Sequence, residues 1–189
     1  FNSDPKITKN GFSNNFEFII KNSNTNSQKS VINKEGGDHY LSGLFQLNSN
    51  YPLIKKTDKY DYFFKPKISL KLNPTHTKDL SKNEYKIDVN NIFDLNRISS
   101  NETLEGGISV TYGSDYILNK KNNNKEFLSF KFANNLRLKK NDDLEKNHQL
   151  GSKTSNFFGE IKFSPLSFLT AKYNISSLNN LSDINYQNL

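Results

Sequence analysis

Apolar and polar residues alternate with a period of two along much of this chain, the spacing of a strand with one apolar face. Phe16, Phe18 and Ile20 alternate with Glu17, Ile19 and Lys21; Leu41, Gly43, Phe45 and Leu47 with Ser42, Leu44, Gln46 and Asn48. From Tyr62 to Leu72, Tyr62, Phe64, Ile68, Leu70 and Leu72 share one side, opposite Lys65, Lys67, Ser69 and Lys71. Pro66 falls on the apolar parity and lacks a ladder donor, so it predicts a bulge or a strand start beside it. Tyr85, Ile87 and Val89 predict a brief strand. The longest pattern places Leu104, Gly106, Ile108, Val110 and Tyr112 against Glu105, Gly107, Ser109, Thr111 and Gly113. Leu128, Phe130, Phe132, Leu136 and Leu138 oppose Ser129, Lys131, Asn135 and Arg137. Phe157, Ile161 and Phe163 oppose Glu160 and Lys162, and Leu169, Ala171, Tyr173 and Ile175 oppose Thr170, Lys172, Asn174 and Ser176. Ile184 and Tyr186 begin a last strand.

Polar, turn-forming stretches separate these segments. They are Phe1 to Asn15, which reads as a loop or an incomplete strand, the run NSNTNSQKS, Gly36-Gly37-Asp38, Asn73 to Asn83, the hairpin tip KKNNNK, Lys139 to Ser152, Ser164-Pro165 and Ser177 to Ser182. Asn91 to Ser100 mixes Ile92, Phe93 and Leu95 with Asp94, Asn96 and Arg97, which predicts a structured loop entering the strand after it. The result is eight or nine strands, no helix, and short links alternating with long ones. An antiparallel up-and-down outer-membrane barrel shows this pattern, and so does a soluble β-sandwich.

Composition narrows the classes. A hydrophobic share of 33% is low for a water-soluble core, while 13% aromatic residues is too many for a disordered chain. Both fit strands that are apolar on one face only. No apolar run approaches the roughly 18 residues of a spanning helix, whereas a spanning strand needs only about 9–11. The net charge of +7 comes from lysines scattered among strands and turns, which favours a solvated basic surface over a nucleic-acid site. With no Met, no signal-peptide core and no capped terminus, the chain reads as a piece of a larger protein.

Candidate chemistry is sparse. His39, His76 and His148 lie in different stretches, without cysteine or a spaced carboxylate partner, so no metal or cofactor site is expected. There is no Gly-x-Ser-x-Gly elbow and no phosphate-binding Gly-x-x-x-x-Gly-Lys, and no catalytic residue is predicted.

One stretch carries a resemblance. Asn91-Ile-Phe93-Asp-Leu-Asn96-Arg97, then Glu102 to Glu105, Gly107 and Tyr112-Gly113, resembles the signature of the lipopolysaccharide-assembly family LptD (OstA). Tyr51-Pro52, Phe64 to Pro74, Leu128 to Arg137 and Ser155 to Gly159 follow in the family's order, so the likeness covers Tyr51 to Leu189. Asn134-Asn135 stands where the family has Gly-Gln, Ser100-Asn101 where it has Gly-Asp, and Asn156 where Asp is common. The resemblance implies a large transmembrane outer-membrane β-barrel of a Gram-negative bacterium that delivers lipopolysaccharide to the outer leaflet without enzymatic chemistry. Residues 1–189 would be one partial barrel domain, without the family's periplasmic jelly roll or its remaining strands. Implied partners are lipopolysaccharide, an LptE-like lipoprotein plug, a periplasmic Lpt bridge reached through the missing domain, and outer-membrane lipid. On this reading the even residues of Leu104 to Tyr112 and the odd residues of Leu169 to Ile175 meet lipid. Glu105, Ser109, Thr111, Lys131, Arg137 and Lys172 face lumenal water, where the cations would attract lipid phosphates. A soluble or surface β-sandwich binding module, or another outer-membrane porin or enzyme barrel, is the alternative.

Overall fold

The computed structural model describes residues 1–28, 36–121, 125–166, 168–178 and 183–188. Among the described residues ten strands lie in one antiparallel sheet: β1 Lys6–Ile7, β2 Ser13–Ser27, β3 Gly36–Asn50, β4 Leu53–Lys56, β5 Tyr60–Asn73, β6 Gly107–Lys120, β7 Lys125–Arg137, β8 Phe157–Leu166, β9 Leu169–Ser177 and β10 Ile184–Asn188. Neighbours in sequence are neighbours in space from β1 to β10, except that β3 pairs directly with β5 and the short β4 pairs with β5 beside it. The path is open, an up-and-down section with no second sheet stacked on it among the described residues, so the sandwich lacks its other layer. One end of the sheet carries the short connections, such as the β6–β7 hairpin with Lys120 opposite Lys125. The other end carries the long loops 74–106 and 138–156.

The two faces reverse the arrangement of a water-soluble protein. Phe16, Phe18 and Ile20 of β2, Leu41, Phe45 and Leu47 of β3, Phe64, Ile68, Leu70 and Leu72 of β5, Ile108 and Tyr112 of β6, Phe130 and Leu136 of β7, and Ile161 and Phe163 of β8 are all exposed. Register aligns them across the sheet: Phe18 faces Phe45, Phe45 faces Leu72, Leu72 faces Ile108, and Tyr116 faces Phe130, which faces Ile161. The opposite parity is polar and buried, with Ser42, Gln46, Ser69, Lys71, Ser109, Thr111, Ser129, Asn135 and Glu160 each under 5% exposed. We refer to these as the bare face and the covered face.

What covers the polar face is the pair of long loops. Leu80, Ile87, Val89, Ile92 and Ile98 of loop 74–106 pack with Leu144 and Leu150 of loop 138–156 and with Ala133 and Phe158 of the sheet, forming the apolar core. The loops make a cap with an oily interior that takes in Ala133 and Phe158 from the sheet.

Several boundaries differ from the sequence expectation. Tyr85, Ile87 and Val89 do not form a strand; Ile87 and Val89 are 1% and 3% exposed and belong to the cap core, so burial rather than pairing explains their spacing. The strand expected from Leu104 begins at Gly107. Leu104, 0% exposed, and Gly106, also buried, lie in the loop rather than on the lipid side. Asn22 to Ser27 and Gly36 to Asp38, expected as loop and turn, pair as the ends of β2 and β3, because backbone pairing continues past the last apolar residue. Of the rest of the polar run expected there, Gln28 follows β2 as a bend and 29–30 lie outside the described residues. Ser164-Pro165 remains inside β8. Of the link expected at Ser177 to Ser182, Ser177 closes β9 and 179–182 lie outside the described residues.

Pro66 neither bulges nor starts β5. It sits opposite Ser114 in unbroken register with β6. On its other side the partner changes: β3 pairs no further than Lys67 and β4 takes over from Phe64. A residue without N–H fits the gap between two partners, and its carbonyl still accepts the Tyr51 N–H at 3.1 Å.

Candidate functional site

Residues from loop 74–106 and from β6 and β7 converge on one buried polar cluster on the covered face. Arg97, in the turn-rich part of loop 74–106, is 1% exposed. Its guanidinium grips Glu105 through two parallel bonds, Nε to Oε2 at 2.7 Å and Nη2 to Oε1 at 2.6 Å. The remaining donors reach the Ile92 carbonyl at 3.1 Å, Thr111 Oγ1 at 2.8 Å, Ser109 Oγ at 3.2 Å and Asn135 Oδ1 at 3.0 Å. Such a planar fork is the group best suited to a bidentate, water-free carboxylate. Arg137, the last residue of β7, donates from Nη1 to Glu105 Oε1 at 2.5 Å and from Nη2 to the Gly106 carbonyl. Burial pushes the Glu105 carboxyl up, but the Arg97 guanidinium, with Lys71 and Arg137 behind it, outweighs that and holds it well below the usual carboxylate range.

Around this cluster, strand side chains reach up to loop carbonyls. Lys71 of β5 donates to the carbonyls of Asp94 and, at 3.2 Å, Leu95. Gln46 donates to the Phe93 carbonyl at 2.7 Å and Lys21 to the Ser100 carbonyl at 2.6 Å. Lys67 Nζ stands 4.6 Å from the centre of the Phe93 ring. Turn carbonyls have no strand or helix partner, so each needs a donor, and here the sheet supplies it. The second loop is tied likewise: Asn134 Nδ2 donates to the carbonyls of Ser155 and Asn156, each at 3.1 Å, and Asn135 N–H to Ser155 Oγ at 2.9 Å.

The residues singled out from sequence fall into three groups. Asn91, Phe93, Asn96, Arg97 and Glu105 all belong to the cap. Asn91 closes a turn, donating to the Lys86 carbonyl at 2.7 Å and accepting the Asp88 N–H at 2.9 Å, and the Asn96 carbonyl accepts the Ser99 N–H at 3.0 Å. Gly107 opens β6 at φ +92°, a backbone geometry that favours glycine, and an added Cβ there would meet Arg137 Nη2 at 3.0 Å. Gly113 lies close against β7, where a Cβ would run into the Phe132 carbonyl. Tyr112 stands apart on the bare face, 39% exposed.

Ser109, Thr111, Lys131, Arg137 and Lys172 are on the covered face, with one correction to the expectation that they are wetted. The cap buries Glu105, Ser109, Thr111 and Arg137, all at 5% exposure or less. Their charges are engaged with one another, and Arg137 is not displayed to a lipid phosphate. Lys131 and Lys172 are farther from the long-loop end and partly exposed, and both pair with buried Glu160, at 3.1 Å and 3.0 Å. Asn90 of the cap completes that group, donating to Glu160 Oε2 at 3.0 Å.

Sequence reasoning missed Lys71, Gln46 and Glu160 as anchors, and Leu144 and Leu150 as core. The available signal was two isolated leucines inside the polar run 139–152. Among the described residues no group of three or more His, Cys, Asp or Glu is placed to hold a metal ion. The cluster's chemistry is that of a clasp, fixing a long loop against a sheet with charge-assisted bonds.

No curated protein matches the chain. The family model described as LptD, LPS transport system D, matches residues 19–189, which include the sheet from β3 to β10, both long loops and the clasp. That family is an outer-membrane β-barrel family of Gram-negative bacteria whose role is lipopolysaccharide transport. The all-β up-and-down section with its motif loop clasped over one face therefore belongs to the LPS transport system D family.

Proposed function

We propose that this chain forms part of the wall of an outer-membrane translocon that places lipopolysaccharide in the outer leaflet, a non-enzymatic transport role. One observation carries the reading: the face exposed in the sheet is the apolar one and the face covered by loops is the polar one. In a bilayer the bare face meets lipid tails and the covered face lies toward the lumen. The strands suit this, since β2, β3, β5 and β6 are 14 or 15 residues long, beyond the roughly 9–11 that cross the hydrocarbon. At the short-turn end Tyr60, Tyr62, Phe127 and Phe163 cluster, with Tyr60–Phe127 ring centres 5.8 Å apart and Phe127–Phe163 5.2 Å. Such an aromatic group is what a barrel places at a membrane interface.

On this reading Ser109, Thr111, Lys131, Arg137 and Lys172 stand on the lumenal side, and the cap narrows the lumen next to its own wall. Lipopolysaccharide is the cargo. An LptE-like lipoprotein would share the lumen with the cap, and a periplasmic Lpt bridge would deliver the cargo. The test is to fractionate the envelope, deplete the protein and label lipopolysaccharide on intact cells. A heat-modifiable outer-membrane protein whose depletion lowers surface label is the expected result. Unchanged surface label, or a protein found outside that membrane, overturns the reading.

A further inference from the structure

We propose that a cleft at the long-loop end, between the tips of β5, β6 and β7, binds the phosphorylated headgroup of a membrane amphiphile whose acyl chains lie on the adjoining bare face. The cleft has a volume of about 530 Å³. It borders the clasp at Arg137 and Gly106 and the end of the bare face at Leu72 and Ile108. One wall is apolar and continuous with that face: Leu72 is 44% exposed, Ile108 38% and Leu138 70%. Lys139, Lys140 and His76 also line the cleft, and all three are exposed. Neither lysine has a carboxylate within ion-pair distance among the described residues. Asp143 is the one carboxylate residue lining the cleft; its backbone carbonyl is held by the Leu80 N–H at 2.7 Å.

The cleft is held open by its backbone. Gly106 and Gly107 line it and add no side chain. Thr77 Oγ1 accepts the Gly106 N–H at 2.8 Å and Asn141 Nδ2 at 2.7 Å, tying the two long loops together, and the Leu138 N–H reaches the Ile108 carbonyl at 3.1 Å. Arg137 also lines the cleft, fixed on Glu105 and the Gly106 carbonyl, with its Nε buried and without a partner.

An amphiphile is recognised where apolar surface meets unpaired cations at the membrane boundary, and basic pockets at that depth hold lipid phosphates. The apolar wall selects a phosphate carried on acyl chains over a free one. This inference rests on the bare face meeting lipid, as proposed above.

The test uses the intact protein purified from its own envelope and reconstituted in nanodiscs of phosphatidylcholine containing a minor share of phosphatidic acid, with retained lipid read by native mass spectrometry. Lys139→Gln/Lys140→Gln is expected to lose retained phosphatidic acid several-fold. Lys55→Gln/Lys56→Gln, on exposed β4 at the opposite end, is expected to keep it, and excess inorganic phosphate is expected not to displace it. Equal retention in both double variants, or displacement by inorganic phosphate, overturns the site. Loss of the surface-label effect with retention intact would remove the transport reading and leave this site standing; the reverse result would remove the site alone.

Discussion

The strand wall and the loop cap are built on opposite rules from one chain. In the wall, residues such as Phe45, Leu70 and Ile161 are exposed while Lys71 and Glu160 are buried. In the cap, Ile87, Ile92 and Leu150 are buried while Lys82, Glu84 and Lys146 are exposed. Water is the solvent that organises the cap, whereas the wall presents its apolar side outward as for a lipid solvent. Polar wall residues are tolerable at zero exposure only because the cap answers them with carbonyls and carboxylates, and cap carbonyls are tolerable only because the wall supplies donors.

The largest effect should come from cutting the joint between the two regions. Arg97→Ala leaves Glu105 buried against Arg137 alone and removes six donor contacts, a loss of about 3–5 kcal/mol by the rule for breaking buried pairs. Hydrogen exchange should report it as lost protection in loops 74–106 and 138–156, with β2 and β3 protected as before. Protection that falls evenly across the molecule would show that cap and wall are one unit.

Acid should loosen the same joint without mutation. The Glu105 carboxyl is held below its ordinary value near 4.5, so the stabilisation is complete above that pH and drains away as pH falls through the lower folded value. Protease sensitivity of the cap should therefore rise on the acid side, and Glu105→Gln should flatten that dependence. A dependence unchanged in Glu105→Gln would place the titrating group elsewhere.

A third change separates the faces. Val110→Lys or Phe130→Lys on the bare face should cost about 2–4 kcal/mol in a bilayer, read by denaturant titration of the reconstituted protein. In a protein whose bare face met water, the same lysines would be tolerated. Smallest of all, Ile87→Val trims one buried methylene from the cap core and should cost about 0.5–1.5 kcal/mol. Its loss of protection should stay within the loops; a matching loss in β6 and β7 would contradict the separation.

The wall was legible because period two is local: Leu70 and Lys71 declare opposite faces through adjacency alone. Which face met water was not, since alternation reads identically in a sandwich. The family motif located the clasp residues Arg97 and Glu105 without showing that they bond to each other. The cap was obscure because its burial follows contacts distant in sequence. Leu144 and Leu150 look like strays in a polar run until the fold puts them in one core with Ile87 and Val89. The same two residues imitated a strand, and Leu104 imitated the first residue of one. Lys71 read as a solvated strand lysine, because the carbonyls that bury it arrive from residues 94 and 95.

The clasp also joins two closures of different span. Arg97 and Glu105 are eight residues apart, so closing that segment costs little chain entropy and needs neither β6 nor β7 in place. Arg137 is 32 residues beyond Glu105 and reaches it only when β7 has zipped along β6. The short closure is the cheaper of the two, and the long one requires β6 and β7 to be in register. The Arg137–Glu105 bond therefore depends on register: a β7 shifted by one residue along β6 would turn Arg137 to the other face and away from Glu105.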